Sequence, residues 1–267
     1  MNSEKILARI TEKDNQVLCC DYKQDASMFA TAGKDRVVRI YDEHTRELTQ
    51  EMGKDRLLGD AGHGNRVFSL KFVPTDENLL VTGGWDNTIQ IWDSRTGGNI
   101  RSIFGPHICG DSVDVSKDGI LLTGSYRPRD PLELWDLHKG TKLETLRFSR
   151  ATEGPGTSIY SAAFSREPEQ SLIVAGGSGE NCAKVFDRSN GNGVIGTIQH
   201  KGPVFATVIH ENSLVAVGGS SDSIPIYRIT QYGAPEAKEP EENEFGTGEG
   251  VVGGSGFAAA RVRRGLK

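Results

Sequence analysis

Histidine, cysteine, serine and carboxylate side chains are where this sequence could do chemistry, and their spacing fits none of the common reaction centres. The six histidines, His44, His63, His107, His138, His200 and His210, include no H-x-x-x-H pair, the spacing that puts two imidazoles on one helix face for a metal. The four cysteines, Cys19, Cys20, Cys109 and Cys182, contain no C-x-x-C and two are adjacent, so neither a zinc set nor a disulfide framework follows. Ser178 lies in Gly176-Gly177-Ser178-Gly179, which is not the G-x-S-x-G turn that exposes a nucleophile. Asp42, Asp93 and Asp136 each follow an aromatic residue at the end of a similar run. A catalytic carboxylate pair is not stamped once per repeat, so these read as turn or capping residues. The glycine run Gly250–Gly256 has no preceding strand and no βαβ context to make it a dinucleotide loop. The expectation is a chain with no catalytic residue, no metal and no cofactor, and not an enzyme.

Composition points to short strands joined by tight turns. The 267 residues suffice for one large all-β domain, and 36% apolar content with 33 glycines suits many short, half-buried strands joined by tight turns. A net charge of −5 argues against a dedicated nucleic-acid binder, which is usually basic. The charged N-terminal stretch has no apolar core of the signal-peptide kind, and no apolar run approaches the roughly 20 residues that span a bilayer. With reduced thiols as the reading for the cysteines, the expected location is cytoplasm, nucleus or both, neither secreted nor at a membrane.

The elements that must position any binding residues are set by a repeat. Five segments end alike: Arg39-Ile40-Tyr41-Asp42, Gln90-Ile91-Trp92-Asp93, Glu133-Leu134-Trp135-Asp136, Lys184-Val185-Phe186-Asp187 and Pro225-Ile226-Tyr227-Arg228. Their last residues are 51, 43, 51 and 41 positions apart. Each period opens on a β-rich run (Val17–Tyr22, Val67–Phe72, Ser112–Ser116, Ile159–Ser165, Val204–His210). A second run ends in small residues (Met28–Gly33, Leu79–Gly84, Ile120–Ser125, Leu172–Gly177, Leu214–Gly219), and a tight turn leads to the aromatic third. A more polar fourth run closes the first four periods (Glu47–Met52, Asn99–Phe104, Lys142–Phe148, Gly193–Gln199). Short strands with Gly, Asp and Ser turns at this rhythm are antiparallel β units.

These residues resemble the WD40 repeat family, best in the second unit, where Gly62-His63 precedes a strand and Thr82, Asp86 and Trp92 follow in order. The resemblance implies a hydrogen-bonded network of His63, Thr82, Asp86 and Trp92, and a similar one in the third unit from His107, Thr123, Asp130 and Trp135, where Arg127-Pro128-Arg129 lengthens the turn. The first unit keeps Thr31 and Asp35 but has Tyr41 for Trp, and no Gly-His precedes it. The fourth and fifth lack both Trp and Gly-His, so their stability is expected from apolar packing. The implied fold is an all-β WD40-type propeller of five four-stranded blades over residues 1–231, with an acidic, glycine-rich, unstructured tail and basic end over 232–267. Lys5–Ile10 resembles the fourth strands and is expected to complete the last blade, since an open sheet edge invites aggregation. Three readings of the five units stand: a five-bladed ring, an open arc whose gap a partner fills, and a sequence lacking upstream blades.

In this family partners are gripped on the rim, at the early position of the first strand and just before the turn Asp. The resemblance places Leu18, Phe68, Tyr160 and Phe205 at the first kind of position and Lys34, Trp85, Arg129 and Ser221 at the second, with Tyr126 and Arg127 nearby. Aromatic and Arg side chains dominate interface energetics. The implied function is a non-catalytic scaffold or adaptor that binds a peptide or protein on this rim within a multi-subunit complex. Two alternatives remain. One is a nucleic-acid-associated or histone-reading propeller with a basic lip of Lys34, Arg36, Arg127 and Arg129. The other is a propeller enzyme, which needs a metal or nucleophile cluster on the same face.

Overall fold

The computed structural model describes residues 6–53, 62–149, 156–211 and 213–230, and the backbone of 261–265. Contacts divide the chain into two compact units, one of residues 1–121 and 136–141, the other of 122–135 and 142–267.

The first unit holds two four-stranded antiparallel sheets. Sheet one runs β1 (Val17–Tyr22), β2 (Met28–Gly33), β3 (Val38–Asp42), β4 (Leu48–Met52), and sheet two runs β5 (Val67–Phe72), β6 (Leu79–Gly84), β7 (Thr88–Asp93), β8 (Asn99–Phe104), each in chain order. Ala30, Ala32, Val38, Ile40 and Met52 of sheet one share a core with Leu70, Leu80 and Trp92 of sheet two. The middle strands β6 and β7 are buried along nearly their whole length, whereas β8 alternates and ends exposed. A strand sandwiched between neighbouring sheets is apolar on both faces, and an outer strand is not. The polar fourth runs of the sequence have this origin.

A third sheet, ordered β9 (Val113–Val115), β10 (Ile120–Gly124), β11 (Leu132–Asp136), β12 (Thr141–Leu146), draws residues from both units. The second unit continues with sheet four, β13 (Ser158–Phe164), β14 (Leu172–Ser178), β15 (Cys182–Asp187), β16 (Gly193–Gln199), and sheet five, β17 (Val204–His210), β18 (Leu214–Gly219), β19 (Ile226–Thr230), β20 (Arg261–Gly265). Val174, Ala183 and Val185 of sheet four pack against Val204, Val215, Val217 and Tyr227 of sheet five. Asp42, Asp93, Asp136 and Asp187 each accept a backbone N–H two or three residues on, from His44 and Thr45, Arg95, Lys139 and Ser189 at 2.7 to 2.9 Å, so each stops its third strand in a tight turn. No helix among the described residues is long and apolar enough to cross a membrane.

One expectation is corrected. Ile6–Ile10 forms no strand, with Ile6 and Leu7 exposed, and the fourth strand of sheet five is β20. The reason is the single row of backbone groups that an edge offers: β20 takes it, pairing Ile226 with Gly265 through to Thr230 with Arg261. Arg261–Gly265 of the expected unstructured tail is therefore sheet, while Lys5 and residues 231–260 lie outside the described residues.

Candidate functional site

The rim begins with a bulge that recurs in phase. The pairing of first and second strands slips by one residue between Val17 and Cys19, Val67 and Ser69, Ile159 and Ser161, and Val204 and Ala206. The residues passed over are Leu18, Phe68, Tyr160 and Phe205. A bulge takes a residue out of the ladder and re-aims its side chain, and all four are partly or largely exposed. A second device sits opposite. Gly33, Gly84 and Gly219 end their second strands, and Gly177 is the last residue but one of β14, each where a Cβ would strike the carbonyl oxygen of Gln16, Arg66, Pro203 or Ser158 respectively. This close approach lets the next amide bond the same oxygen, Lys34 N–H to Gln16 at 3.0 Å, Trp85 N–H to Arg66 at 3.0 Å and Ser220 N–H to Pro203 at 3.1 Å. The turn residue is thereby drawn against the bulged one.

In the first unit the result is an aromatic cluster. Phe68 and Trp85 have ring centroids 5.0 Å apart, and the Arg66 guanidinium lies 5.8 Å from the Trp85 centroid. His107 stacks on Trp85 at 6.2 Å and 10°, while its Nδ1 pairs with Asn87 Oδ1 at 2.7 Å. Burial lowers the His107 pKa, against a weaker upward pull from Asp86. Trp85 stays 37% exposed, enough surface for a ligand to cover. Lys34 is exposed on the corresponding turn of sheet one.

In the second unit Tyr160 sits between Tyr126 and Phe205, at 5.2 Å from each, and both of these flanking rings are exposed. Arg129 is exposed on the long turn. Arg127 is not free in the same way. It donates to the Asp130 carbonyl at 2.8 Å and pairs with buried Glu133 at 2.8 Å, so it braces the turn. The Asp130 side chain is exposed, with φ +47°.

Beneath the rim four of the sheets carry their own polar centres. In sheet two, His63 Nδ1 lies 2.9 Å from Asp86 and Nε2 2.7 Å from Thr82 Oγ1, which accepts the Trp92 indole N–H at 2.8 Å. Burial alone would raise the Asp86 carboxyl; the bond and charge of His63, the Gly64 N–H and Thr88 outweigh it and hold it down at about 2. In sheet three the Trp135 indole donates to Thr123 at 3.0 Å, and Thr123 Oγ1 lies 3.5 Å from the Glu133 carbonyl.

Two centres escape sequence reasoning. His200 stands four residues ahead of Val204, as His63 does ahead of Val67, and it bonds Ser221 at 3.0 Å and the Gly202 carbonyl at 2.8 Å. That offset was the available signal; Gln199 in place of glycine hid it. In sheet one Glu12 replaces the imidazole, accepting from Thr31, from Tyr41 at 3.1 Å and from Arg39 at 3.0 Å. Arg39 also holds Asp35 at 2.6 Å and Glu51 at 3.3 Å.

Two of the thiols are muted. Burial pushes the Cys19 thiol up and the Cys182 thiol to about 12. Among the described residues no three His, Cys, Asp or Glu side chains converge as a metal-holding group.

The sequence is similar to known proteins. The family model described as WD domain, G-beta repeat matches residues 4–42 and 56–93. A pre-mRNA-processing factor 19 of Oryza sativa subsp. japonica is 26% identical over 253 residues, 90% of this chain and 44% of that protein. A serine-threonine kinase receptor-associated protein of Dictyostelium discoideum is 26% identical over 227 residues, 83% of this chain and 68% of its own. A ribosome biogenesis protein WDR12 homolog of Culex quinquefasciatus is 26% identical over 200 residues, 68% and 41%. The chain thus spans less than half the length of the rice and mosquito relatives. Two matched repeats, with five four-stranded antiparallel sheets of which four carry the same bulge, make the chain similar to the WD40-repeat family and consistent with its propeller fold.

Proposed function

We propose that the chain is a non-catalytic interaction platform that holds a peptide or loop of another protein on the rim of strand heads and turns. The observation that carries this reading is the in-phase bulge, which leaves Phe68, Tyr160 and Phe205 out of their ladders, Phe68 beside the exposed ring of Trp85 and Tyr160 between those of Tyr126 and Phe205. Rigid aromatic surface costs little entropy to immobilise and supplies most of the energy at interface hot spots. The names of the relatives, one receptor-associated and others in pre-mRNA processing and ribosome biogenesis, share no single reaction, which suits a fold used to bring proteins together. The basic-lip alternative is weakened because Arg127 is spent on Asp130 and Glu133.

The test compares partner recovery and stability in one experiment. Full-length chain carrying Trp85→Ala and Phe205→Ala is purified from native cells beside the wild type, and co-purifying proteins are quantified. A loss of about tenfold or more in the wild-type partners, with unfolding cooperativity retained, supports the rim. Unchanged recovery together with a stability loss of several kcal/mol shows that these rings only pack the fold.

A further inference from the structure

The rim of the first unit carries a group of cations left over from internal pairing. Lys34 and Arg36 are exposed on the turn from β2 to β3, and Arg66 is partly exposed just ahead of β5. Arg36 Nε donates to the Asp35 carbonyl at 3.4 Å, and the Arg66 guanidinium lies over the Trp85 ring, 5.8 Å from its centroid. Among the described residues none of these three cations pairs with a carboxylate. The acids around them are already held: Asp35 by Arg39 at 2.6 Å, Asp86 by His63 at 2.9 Å and Asp111 by Lys71 at 3.3 Å. Exposed Asp14 has Lys13 beside it in the chain. The whole chain carries a net charge of −5, so this stretch of rim is a local positive region on an acidic protein.

The two sources of charge are neighbours. Cys19 Sγ lies 3.6 Å from the Ala32 carbonyl oxygen and 3.9 Å from that of Val67. Ala32 stands two residues before Lys34 and Val67 directly after Arg66, so both cations rise at the same end of the two packed sheets. A Cβ on Gly53 would lie 3.7 Å from the Arg36 carbonyl oxygen and 3.5 Å from the Gly62 Cα. The turn of Arg36 thus backs onto the loop that leads to Arg66. Phe68 and Trp85, with ring centroids 5.0 Å apart, supply the apolar part of the same surface.

We propose that this part of the rim takes a segment of a partner protein in which Asp or Glu residues flank one aromatic or long aliphatic side chain. The proposal rests on the rim reading above and names the chemistry of its occupant. The apolar side chain lies on Phe68 and Trp85, and the flanking carboxylates meet Arg66 on one side and the Lys34–Arg36 turn on the other. A guanidinium laid over an indole keeps its N–H edge open to a bidentate carboxylate. Complementary charge of this kind selects the partner and speeds encounter more than it adds affinity. A single phosphate fits less well, because its oxygens want donors that converge on one point. The amides of Lys34 and Trp85 already bond the Gln16 and Arg66 carbonyls at 3.0 Å, and the three cations stand on separate turn positions. A nucleic-acid strand, charged at every phosphate, is opposed by the net charge of the chain.

The experiment selects a random peptide display library against the full chain, then titrates the enriched peptides by fluorescence anisotropy. The expected binders carry Asp or Glu on both sides of a Phe, Tyr, Trp or Leu. They should bind about tenfold more weakly to the double variant Lys34→Gln and Arg66→Gln, weaken with added salt, and depend on Trp85. Charge reversal separates recognition from folding: Arg66→Glu should lose the acidic peptides and gain affinity for counterparts with Lys in place of Glu, at a melting temperature within about 2 °C of wild type. Binders that need Trp85 but show no acidic bias overturn the proposal and leave the rim reading standing. If no selected peptide responds to Trp85→Ala or Phe205→Ala, both fail. Acidic binders indifferent to Lys34 and Arg66 also overturn the proposal. So does a thymidine oligonucleotide or a phosphoserine peptide that outcompetes the carboxylate peptides, or self-association of the chain that Arg66→Glu abolishes.

Discussion

His63 Nε2 lies 2.7 Å from Thr82 Oγ1, and that single hydroxyl serves two buried groups. The Asp86 carboxylate can only accept, so His63 Nδ1 carries the hydrogen. Thr82 accepts from the Trp92 indole and pairs with His63 Nε2, and each polar atom of the relay is matched. Thr82 and Trp92 are buried at 0% and 1% exposure, so an unmatched group there loses its water without recompense. Thr82→Val keeps the shape and removes the hydroxyl, stranding the indole N–H and His63 together. The expected cost is about 2 to 4 kcal/mol, the sum of two unsatisfied buried groups. Urea unfolding checks it, and in a cycle with Trp92→Phe the two losses should be clearly less than additive.

Asp86 makes the same network sensitive to acid. Its folded pKa of about 2 lies below the ordinary 3.8, so its contribution is fully present above the unfolded value and is lost as pH falls through the folded one. The size is on the order of 2 kcal/mol. Asp86→Asn removes this linkage. The stability gap between wild type and Asp86→Asn, measured by urea unfolding, should narrow between about pH 4 and pH 2. A gap that stays constant over that window would mean the carboxylate is not held by His63 in solution.

Sheet one shows the same design run by a carboxylate. Tyr41 is pushed up to about 12 by burial first and then by Glu12, which its hydroxyl bonds. A raised phenol favours the protonated folded state, so this stabilisation is intact below the ordinary value near 10 and is lost as pH climbs toward 12. Glu12→Gln removes the charge and keeps an acceptor. The alkaline titration of Tyr41, followed by tyrosinate absorbance as the difference from Tyr41→Phe, should shift to lower pH in Glu12→Gln. The variant also leaves Arg39 without one of its three carboxylates, and stability at neutral pH should fall.

What was legible in the sequence follows from how local its cause is. The bounds of β5 and β6 match the runs Val67–Phe72 and Leu79–Gly84 because strand period, turn glycines and the turn aspartate lie within a few residues of one another. The pairing of β19 with β20 was not legible. Thirty residues separate Thr230 from Arg261, and the Arg-rich stretch Arg261–Arg264 has no apolar alternation to announce a strand. Glu12 was hidden for a different reason: the partner of Thr31 changed residue type, so a search for imidazole passes over it. Ile224 and Ile226 read in the sequence like every other third strand; only the exposure of sheet five sets them apart.

Gly84 ties the packing of sheet two to the rim above it, and its substitution should therefore be felt in both. A Cβ on Gly84 would lie 2.5 Å from the Arg66 carbonyl oxygen and 3.2 Å from His63 Nδ1. The backbone of two strands must then part, and the Trp85 N–H that donates to the same oxygen at 3.0 Å is pulled away with it. Gly84→Ala should cost about 1 to 3 kcal/mol as an overpacking change, read as a lower melting temperature. It should also loosen Trp85 from Phe68 and weaken partner binding, although neither ring is altered. Gly98→Ala is the matched control, because its nearest neighbour is Thr96 Oγ1 at 3.4 Å, and it should leave both readouts within experimental error. If Gly84→Ala lowers stability as expected but binds its partner like the wild type, then the position of Trp85 over Phe68 does not govern recognition, and the rim reading must rest on the Tyr126–Tyr160–Phe205 rings alone.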